Sequence, residues 1–124
     1  MLFAVNGTLM RGLELNDNML RAGAAFVREA ETAPVYRLWS IGDRHPGMVR
    51  VSQGGGAVRL ELWEVKPEGL VRIIEAEPAG LSVGRVLLAD GSTVLGVLAE
   101  PVLTEHQREI TQHGGWREYL SSRR

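Results

Sequence analysis

The first candidate for a substrate-binding site is a glycine-containing segment that follows the first apolar run of the sequence. Residues 5–12 read VNGTLMRG. A strand that runs into glycine and then a helix can aim several backbone N–H groups at one point, and such a nest binds a carboxylate or an oxyanion. We therefore predict that Asn6, Gly7, Thr8, Leu9 and Met10 bind substrate. The alternative is that Asn6-Gly7 is an ordinary turn.

Glu77 is the candidate catalytic residue. It follows Ile73 by four residues and Ile74 by three, and this spacing predicts a position on the apolar face of a helix. A partly desolvated carboxylate has a raised pKa and suits a general acid or base near neutral pH. The alternative is a carboxylate that turns out to water or pairs with Arg85.

A third candidate is a loop predicted over residues 42–47. His45, Pro46 and Gly47 could close one side of a pocket, with His45 moving a proton or orienting a substrate. The alternative is a surface loop with one exposed histidine. The three histidines of the chain lack a metal-binding spacing and there is no cysteine, so we expect neither a metal nor another cofactor.

These residues need a scaffold, and apolar alternation predicts it. Strands are predicted over residues 2–5, 25–31, 35–41, 48–52, 58–65, 83–88 and 93–98. Helices are predicted near residues 13–20, from Pro67 to about Glu77, over 104–112 and over 116–120. In residues 35–41, Tyr36, Leu38 and Ser40 share one face.

Short connections dominate this order, and residues 53–56 (QGGG) are expected to turn a hairpin. We therefore predict an α+β fold with a mixed, mostly antiparallel sheet curled into a barrel, and short helices packed at its openings. The 124 residues fit a single domain, residues 1–124.

Composition narrows the function classes. The formal net charge is -1, which gives no basic footprint for nucleic acid. No apolar run approaches the roughly 20 residues needed to cross a bilayer. The N-terminus lacks a basic region before its apolar stretch and is not typical of a signal peptide. We expect a cytoplasmic protein without nucleic-acid or membrane partners.

Two segments carry a resemblance to a known fold. Residues 5–10 (VNGTLM) resemble the Tyr-Gly-Ser/Thr-Leu loop that follows strand one in the γ-glutamylcyclotransferase-like fold. Residues 60–65 (LELWEV), followed by Leu70, Ile73, Glu75 and Glu77, resemble a later segment of that fold. The resemblance implies the same fold and places the family's catalytic glutamate at Glu77.

A longer resemblance is to the C-terminal domain of allophanate hydrolase. It rests on GLELN (12–16), YRL (36–38), HPG (45–47), EPAGL (77–81) and ITQHGGWR (110–117). In the full-length enzymes an amidase domain deaminates allophanate, and this domain is implicated in breaking down the N-carboxycarbamate product. The histidine implicated in that step falls at Leu9, so the resemblance assigns proton transfer here to His45 or Glu77, or implies another substrate.

Three hypotheses follow. In the first, the chain is an enzyme acting on a small carboxylate-bearing amide or carbamate, with Glu77 as general acid/base and residues 7–10 as the nest. In the second, it is a non-catalytic accessory or ligand-binding domain that forms a homodimer or docks onto a separately encoded amidase. In the third, it is a γ-glutamyl cyclotransferase in which Glu77 deprotonates the γ-glutamyl amine.

Overall fold

A computed structural model describes residues 1–123 and contains eight strands and three helices. The strands are Leu2–Val5 (β1), Ala25–Glu31 (β2), Tyr36–Ile41 (β3), His45–Arg50 (β4), Arg59–Glu64 (β5), Leu81–Leu87 (β6), Thr93–Ala99 (β7) and Arg108–Glu109 (β8). The helices are Asn16–Arg21 (α1), Pro67–Glu75 (α2) and Trp116–Ser122 (α3). None of the helices within the described residues is long and apolar enough to cross a membrane.

Strand β1 lies at the centre of the larger of two sheets. That sheet has the order β2-β5-β1-β7-β6, and only the β1–β7 pairing is parallel. A bridge between Thr32 and Leu88 joins the residues that follow the two edge strands, so the sheet curls until its edges meet at one end. The α+β class and the mostly antiparallel pairing are confirmed.

The smaller sheet has the order β4-β3-β8 and packs its apolar face into the core. The predicted face of β3 is confirmed, since Tyr36, Leu38 and Ser40 are all buried. The Tyr36 hydroxyl accepts a 2.9 Å hydrogen bond from the Leu87 backbone N–H and so links the two sheets. Burial of large aromatic and aliphatic side chains such as these supplies most of the stabilisation of a domain of this size.

The loop predicted over residues 42–47 is wrong, because β4 begins at His45. A tight turn allows this early start: Gly42 and Asp43 both have positive φ, and the Arg44 N–H donates to the Ile41 carbonyl. The Asp43 carboxylate accepts hydrogen bonds from the hydroxyls of Ser40 (2.6 Å) and Tyr119 (2.7 Å). These bonds, that of Ser40 foremost, lower the pKa of Asp43 and hold the turn.

The hairpin predicted at residues 53–56 is also wrong, because β4 and β5 belong to different sheets. The glycine run instead passes alongside β3, where Gly56 and Tyr36 exchange backbone hydrogen bonds. A Cβ at Gly55 would lie 2.7 Å from the backbone carbon of Val35. The close approach of two backbones explains a glycine at this position.

The helix predicted over residues 104–112 is replaced by a 3₁₀ turn at Pro101–Thr104, strand β8 and a second 3₁₀ turn at Thr111–His113. His106 has a φ of 62°, which no right-handed helix accommodates. The segment pairs with β3 instead: the Ile110 N–H donates to the Leu38 carbonyl and the Leu38 N–H donates to the Thr111 hydroxyl.

Candidate functional site

The loop after β1 leaves the middle of the larger sheet and meets β4 from the smaller one. Asn6 is buried and its side-chain amide donates a 3.0 Å hydrogen bond to the Val97 carbonyl on the neighbouring strand. A Cβ at Gly7 would lie 2.5 Å from Cδ of Pro46. Only glycine lets the loop approach the Pro46 ring this closely, so the contact between the two sheets depends on it.

The carbonyl groups of this loop are largely engaged, whereas several N–H groups are free. The Met10 N–H donates to the Gly7 carbonyl, the Leu15 N–H to the Thr8 carbonyl, and the Asn16 side chain to the Leu9 carbonyl at 2.9 Å.

Within residues 1–123, the backbone N–H groups of Gly7, Thr8 and Leu9 donate no hydrogen bond. All three residues are buried. Buried N–H groups are nearly always paired with protein, water or ligand, so this loop has donors available for an acceptor.

A small cavity brings the loop and Glu77 together. It is lined by Val5, Asn6, Gly7, Thr8, Leu9, His45, Pro46, Glu77, Leu81 and Val97. Its free space is about 10 Å³, which is room for about one water molecule. Met10 instead lines a separate, larger cavity, and Gly47 packs against Ala99 and Ile41.

Glu77 reaches the cavity from a turn and not from the helix predicted to carry it. Helix α2 ends at Glu75, and the Glu77 N–H donates to the Ile74 carbonyl just beyond the helix end. Pro78 explains this end, because a residue that precedes proline is disfavoured in the helical conformation. The helical position predicted for Glu77 is therefore wrong, although its partial burial among apolar groups is observed.

The Glu77 carboxylate has no compensating partner. It forms no hydrogen bond or ion pair within residues 1–123, with Arg85 or with any other residue. Burial alone raises the pKa of Glu77 from 4.5 to about 7. A carboxyl group with this pKa is present in both protonation states at neutral pH, so it can donate or accept a proton.

His45 is buried, so the alternative of an exposed surface histidine is wrong. Its Nδ1 lies 3.1 Å from the Pro46 carbonyl oxygen. A carbonyl oxygen only accepts, so in this bond Nδ1 carries the proton and Nε2 of a neutral ring remains an acceptor. His45 and Glu77 line the same cavity without a hydrogen bond between them.

Leu81 and Val97 form part of the cavity wall and are not predicted from the sequence. They lie on β6 and β7, far from the loop along the chain, and no local pattern distinguishes them from other apolar strand residues. Glu61 is a buried carboxylate that is not predicted either. For Glu61 the sequence does contain a signal, because strand alternation places it on the same face as Trp63 and Val65.

Comparison with solved structures gives close matches over the whole chain. A protein specific to uropathogenic Escherichia coli is 60% identical, with a TM-score of 0.95 over 97% of this chain and 94% of that one. Kluyveromyces lactis allophanate hydrolase is 26% identical, with a TM-score of 0.92 over 99% of this chain but 21% of that one.

An AIG2-like protein from Mus musculus is 22% identical, with a TM-score of 0.63 over 82% of this chain and 77% of that one, and this match shows the fold alone. The fold is therefore γ-glutamylcyclotransferase-like, as the resemblance implied. Comparison with curated proteins gives no match.

The family model described as the allophanate hydrolase C-terminal domain matches residues 1–121. The same domain forms part of longer allophanate hydrolase and urea amidolyase chains of K. lactis, of which it covers 21% and 8%. The chain belongs to the allophanate hydrolase C-terminal domain family.

Proposed function

We propose that the chain is an enzyme acting on a small carboxylate-bearing amide or carbamate, with Glu77 as general acid/base. The observation that supports this most is that two features without a protein partner meet in one cavity. Three buried backbone N–H groups, those of Gly7, Thr8 and Leu9, lack an acceptor, and Glu77 has a pKa of about 7 with no partner. The first feature suits a carboxylate or oxyanion, and the second suits proton transfer.

The roles divide by chemistry. The Gly7–Leu9 N–H groups hold the negative oxygen of the substrate, because unpaired donors in a water-poor site interact strongly with an anion. Glu77 transfers a proton to or from the reacting nitrogen or oxygen. Nε2 of His45 accepts a hydrogen bond from the substrate and orients it.

The free space of about 10 Å³ is too small for such a substrate, so binding requires the cavity to open. The turn at residues 76–80 that carries Glu77 is the element we expect to move. The Ala76 and Glu77 N–H groups bond to the end of α2, and the Glu100 N–H donates a 2.8 Å bond to the Gly80 carbonyl. Between these anchors there is only a long 3.4 Å bond from the Leu81 N–H to the Pro78 carbonyl, and the segment is partly exposed, which favours local opening.

The test is turnover of allophanate, simple N-carboxy compounds and γ-glutamyl dipeptides by the wild-type chain and by Glu77→Gln. We expect ammonia or carbon dioxide release from a compound of the first two classes, falling about 10²–10⁴-fold in the variant. The exposed Glu75→Gln, two residues away, is the matched control and retains activity. Equal turnover in Glu77→Gln removes Glu77 from the mechanism, whereas release of 5-oxoproline identifies a γ-glutamyl cyclotransferase.

A second candidate function is an accessory domain that partners a separately encoded amidase. Two observations favour it: the nearly closed cavity, and the occurrence of this domain within longer allophanate hydrolase and urea amidolyase chains. Co-purification of the chain with amidases of its own organism tests this candidate. Absence of any complex or oligomer, together with turnover by the isolated chain, contradicts it.

A further inference from the structure

A second cavity lies on the other side of the loop that follows β1. Its volume is about 280 Å³, close to the lower limit of small-molecule sites. Met10 and Leu60 are buried and form its apolar floor. Charged side chains of both signs line the remainder, among them Glu29, Arg59 and Arg117.

The deepest charged group in this second cavity is Glu61, which is 2% exposed and fully hydrogen-bonded. Oε1 accepts from the Arg11 N–H (3.0 Å) and from Nε1 of Trp63 (3.1 Å). Oε2 accepts from Nε of Arg11 (3.1 Å) and from Nη2 of Arg117 (3.2 Å). Four donors occupy the lone pairs of this carboxylate, so its role is to fix the two arginines and not to receive a ligand.

Arg117 is held so that part of its guanidinium remains free. Nη2 donates both to Oε2 of Glu61 and to the Arg11 carbonyl at 3.1 Å. Within residues 1–123, Nε and Nη1 of Arg117 donate to nothing. A guanidinium has five N–H groups, so three donors remain on a side chain that is already oriented, and this arrangement suits a carboxylate.

Strand β2 carries two carboxylates that line the same cavity as the Arg117 guanidinium. Glu29 uses Oε1 to accept from Nη2 of Arg11, and Glu31 uses Oε1 in its 3.5 Å ion pair with Nε of Arg59. The second oxygen of each carboxylate has no partner within residues 1–123. Residues two apart on a strand face the same side, so Glu29 and Glu31 present these oxygens together.

We propose that this second cavity binds a small zwitterion of amino-acid size, with its carboxylate on Arg117 and its ammonium group at Glu29 and Glu31. A simple anion would meet the unpaired acidic oxygens, and a simple cation would meet the free guanidinium N–H groups. A ligand that carries both charges satisfies both sets. This site is separate from the Glu77 cavity and does not depend on the activity proposed there.

The test is an amide NMR titration of the full chain with glycine, β-alanine and 4-aminobutyrate, whose charges are progressively further apart. Acetate and methylammonium provide each charge alone. We expect saturable shifts at Met10, Ala30, Leu60 and Arg117 with at least one zwitterion, and binding about tenfold weaker for each single ion, since one charged contact is then lost. The proposal fails if no zwitterion saturates or if a single ion binds equally well.

Two variants of strand β2 place the binding in this second cavity. Glu31 lines it on the same face as Glu29, so Glu31→Phe fills the space, removes one acidic contact and should abolish the saturable shifts. Val27→Phe introduces the same group at a position that is 46% exposed and outside the cavity, and should leave binding unchanged. Undiminished binding by Glu31→Phe overturns the assignment. Should that variant not fold, the exposed Glu29→Gln decides, because unchanged affinity for the zwitterion in it contradicts an ammonium site there.

Discussion

The loop that follows β1 separates two cavities, each lined by a glutamate, and the two glutamates differ in their hydrogen-bond partners. Glu77, on one side, is partly buried without any partner, and three N–H groups of the loop beside it are unpaired. Glu61, on the other side, is more deeply buried and accepts four hydrogen bonds. The first environment leaves a carboxyl group of raised pKa beside free donors, whereas the second fixes neighbouring side chains. Burial alone therefore does not determine what a carboxylate does in the fold, since the two sites differ in the number of hydrogen-bond donors that they offer.

The largest expected effect is at Glu61. In Glu61→Gln an amide NH₂ can replace Oε2 and face Nε of Arg11 and Nη2 of Arg117, so donors oppose donors. We expect a loss of about 3 kcal/mol in the free energy of unfolding, measured by urea denaturation. Glu64→Gln, on the same strand but exposed, is the control and should cost far less. Similar midpoints for the two variants would mean that the four hydrogen bonds contribute little.

Gly7 tests the contact that closes the Glu77 cavity. In Gly7→Ala the new Cβ would lie 2.5 Å from Cδ and 2.7 Å from Cγ of Pro46, so the loop or β4 must shift. Overpacking of this kind costs about 1–3 kcal/mol. The free energy of unfolding of Gly7→Ala, Pro46→Ala and the double variant measures the coupling. We expect Gly7→Ala to cost less when Pro46 is already Ala, because the ring that its Cβ meets is then absent. If the costs of the two single variants simply add in the double variant, the Pro46 ring is not the obstacle.

Replacing Glu77 should raise the free energy of unfolding, unlike the two preceding substitutions, and the size of this increase should depend on pH. Its pKa is raised by burial to about 7 in the folded chain, so the stability associated with its neutral form is complete below pH 4.5 and is lost as the pH rises through 7. Replacement by Gln removes that loss. We expect Glu77→Gln to be more stable than wild type by about 2 kcal/mol at pH 9, after allowance for partial exposure, and equal to it at pH 4.

Denaturant unfolding across this pH range measures the difference between wild type and Glu77→Gln. Glu75→Gln is the control, since Glu75 is the exposed last residue of α2, two residues before Glu77, and its difference from wild type should not change with pH in this way. A pH-independent difference for Glu77→Gln would show that Glu77 is solvated in solution. The comparison between the two glutamates would then lose its basis.

The sequence predicted features that depend on local periodicity. The alternation of β3, the strand-to-turn transition at Asn6-Gly7 and the start of α2 at Pro67 all match the structure. The apolar spacing of Glu77 identifies it as a candidate. The helix predicted to reach Glu77 ends two residues earlier, at Glu75, because Pro78 disfavours a helical conformation at the residue before it.

Features set by contacts between distant segments were missed. The start of β4 at His45 depends on an Asp43 turn held by Tyr119, which is 76 residues away. The path of residues 104–112 depends on pairing with β3. The role of Glu61 depends on Arg11 and Arg117, which lie 50 and 56 residues from it. The residues next to a position in the chain do not indicate which distant residues it will contact.

Asn16 gives the smallest expected effect and the most specific one for the loop. Its side chain donates a 2.9 Å hydrogen bond to the Leu9 carbonyl, which fixes the Leu9–Met10 peptide group next to the peptide groups whose N–H groups are free. Asn16→Ala should cost about 1 kcal/mol in the free energy of unfolding. Asn18→Ala, on the same helix, loses only an exposed contact with Arg21 and is the control.

The amide NMR shifts of Gly7, Thr8 and Leu9 then separate the two cavities. If the loop acts as one rigid unit, Asn16→Ala perturbs these amides and also those of Met10 and Arg11 on the far side. We expect the perturbation to reach the Met10 amide but not that of Arg11, because the Arg11 N–H and carbonyl are held independently by Glu61 and Arg117. Equal shifts on both sides would show that the cavities are coupled, and a ligand in one would then alter the donors of the other.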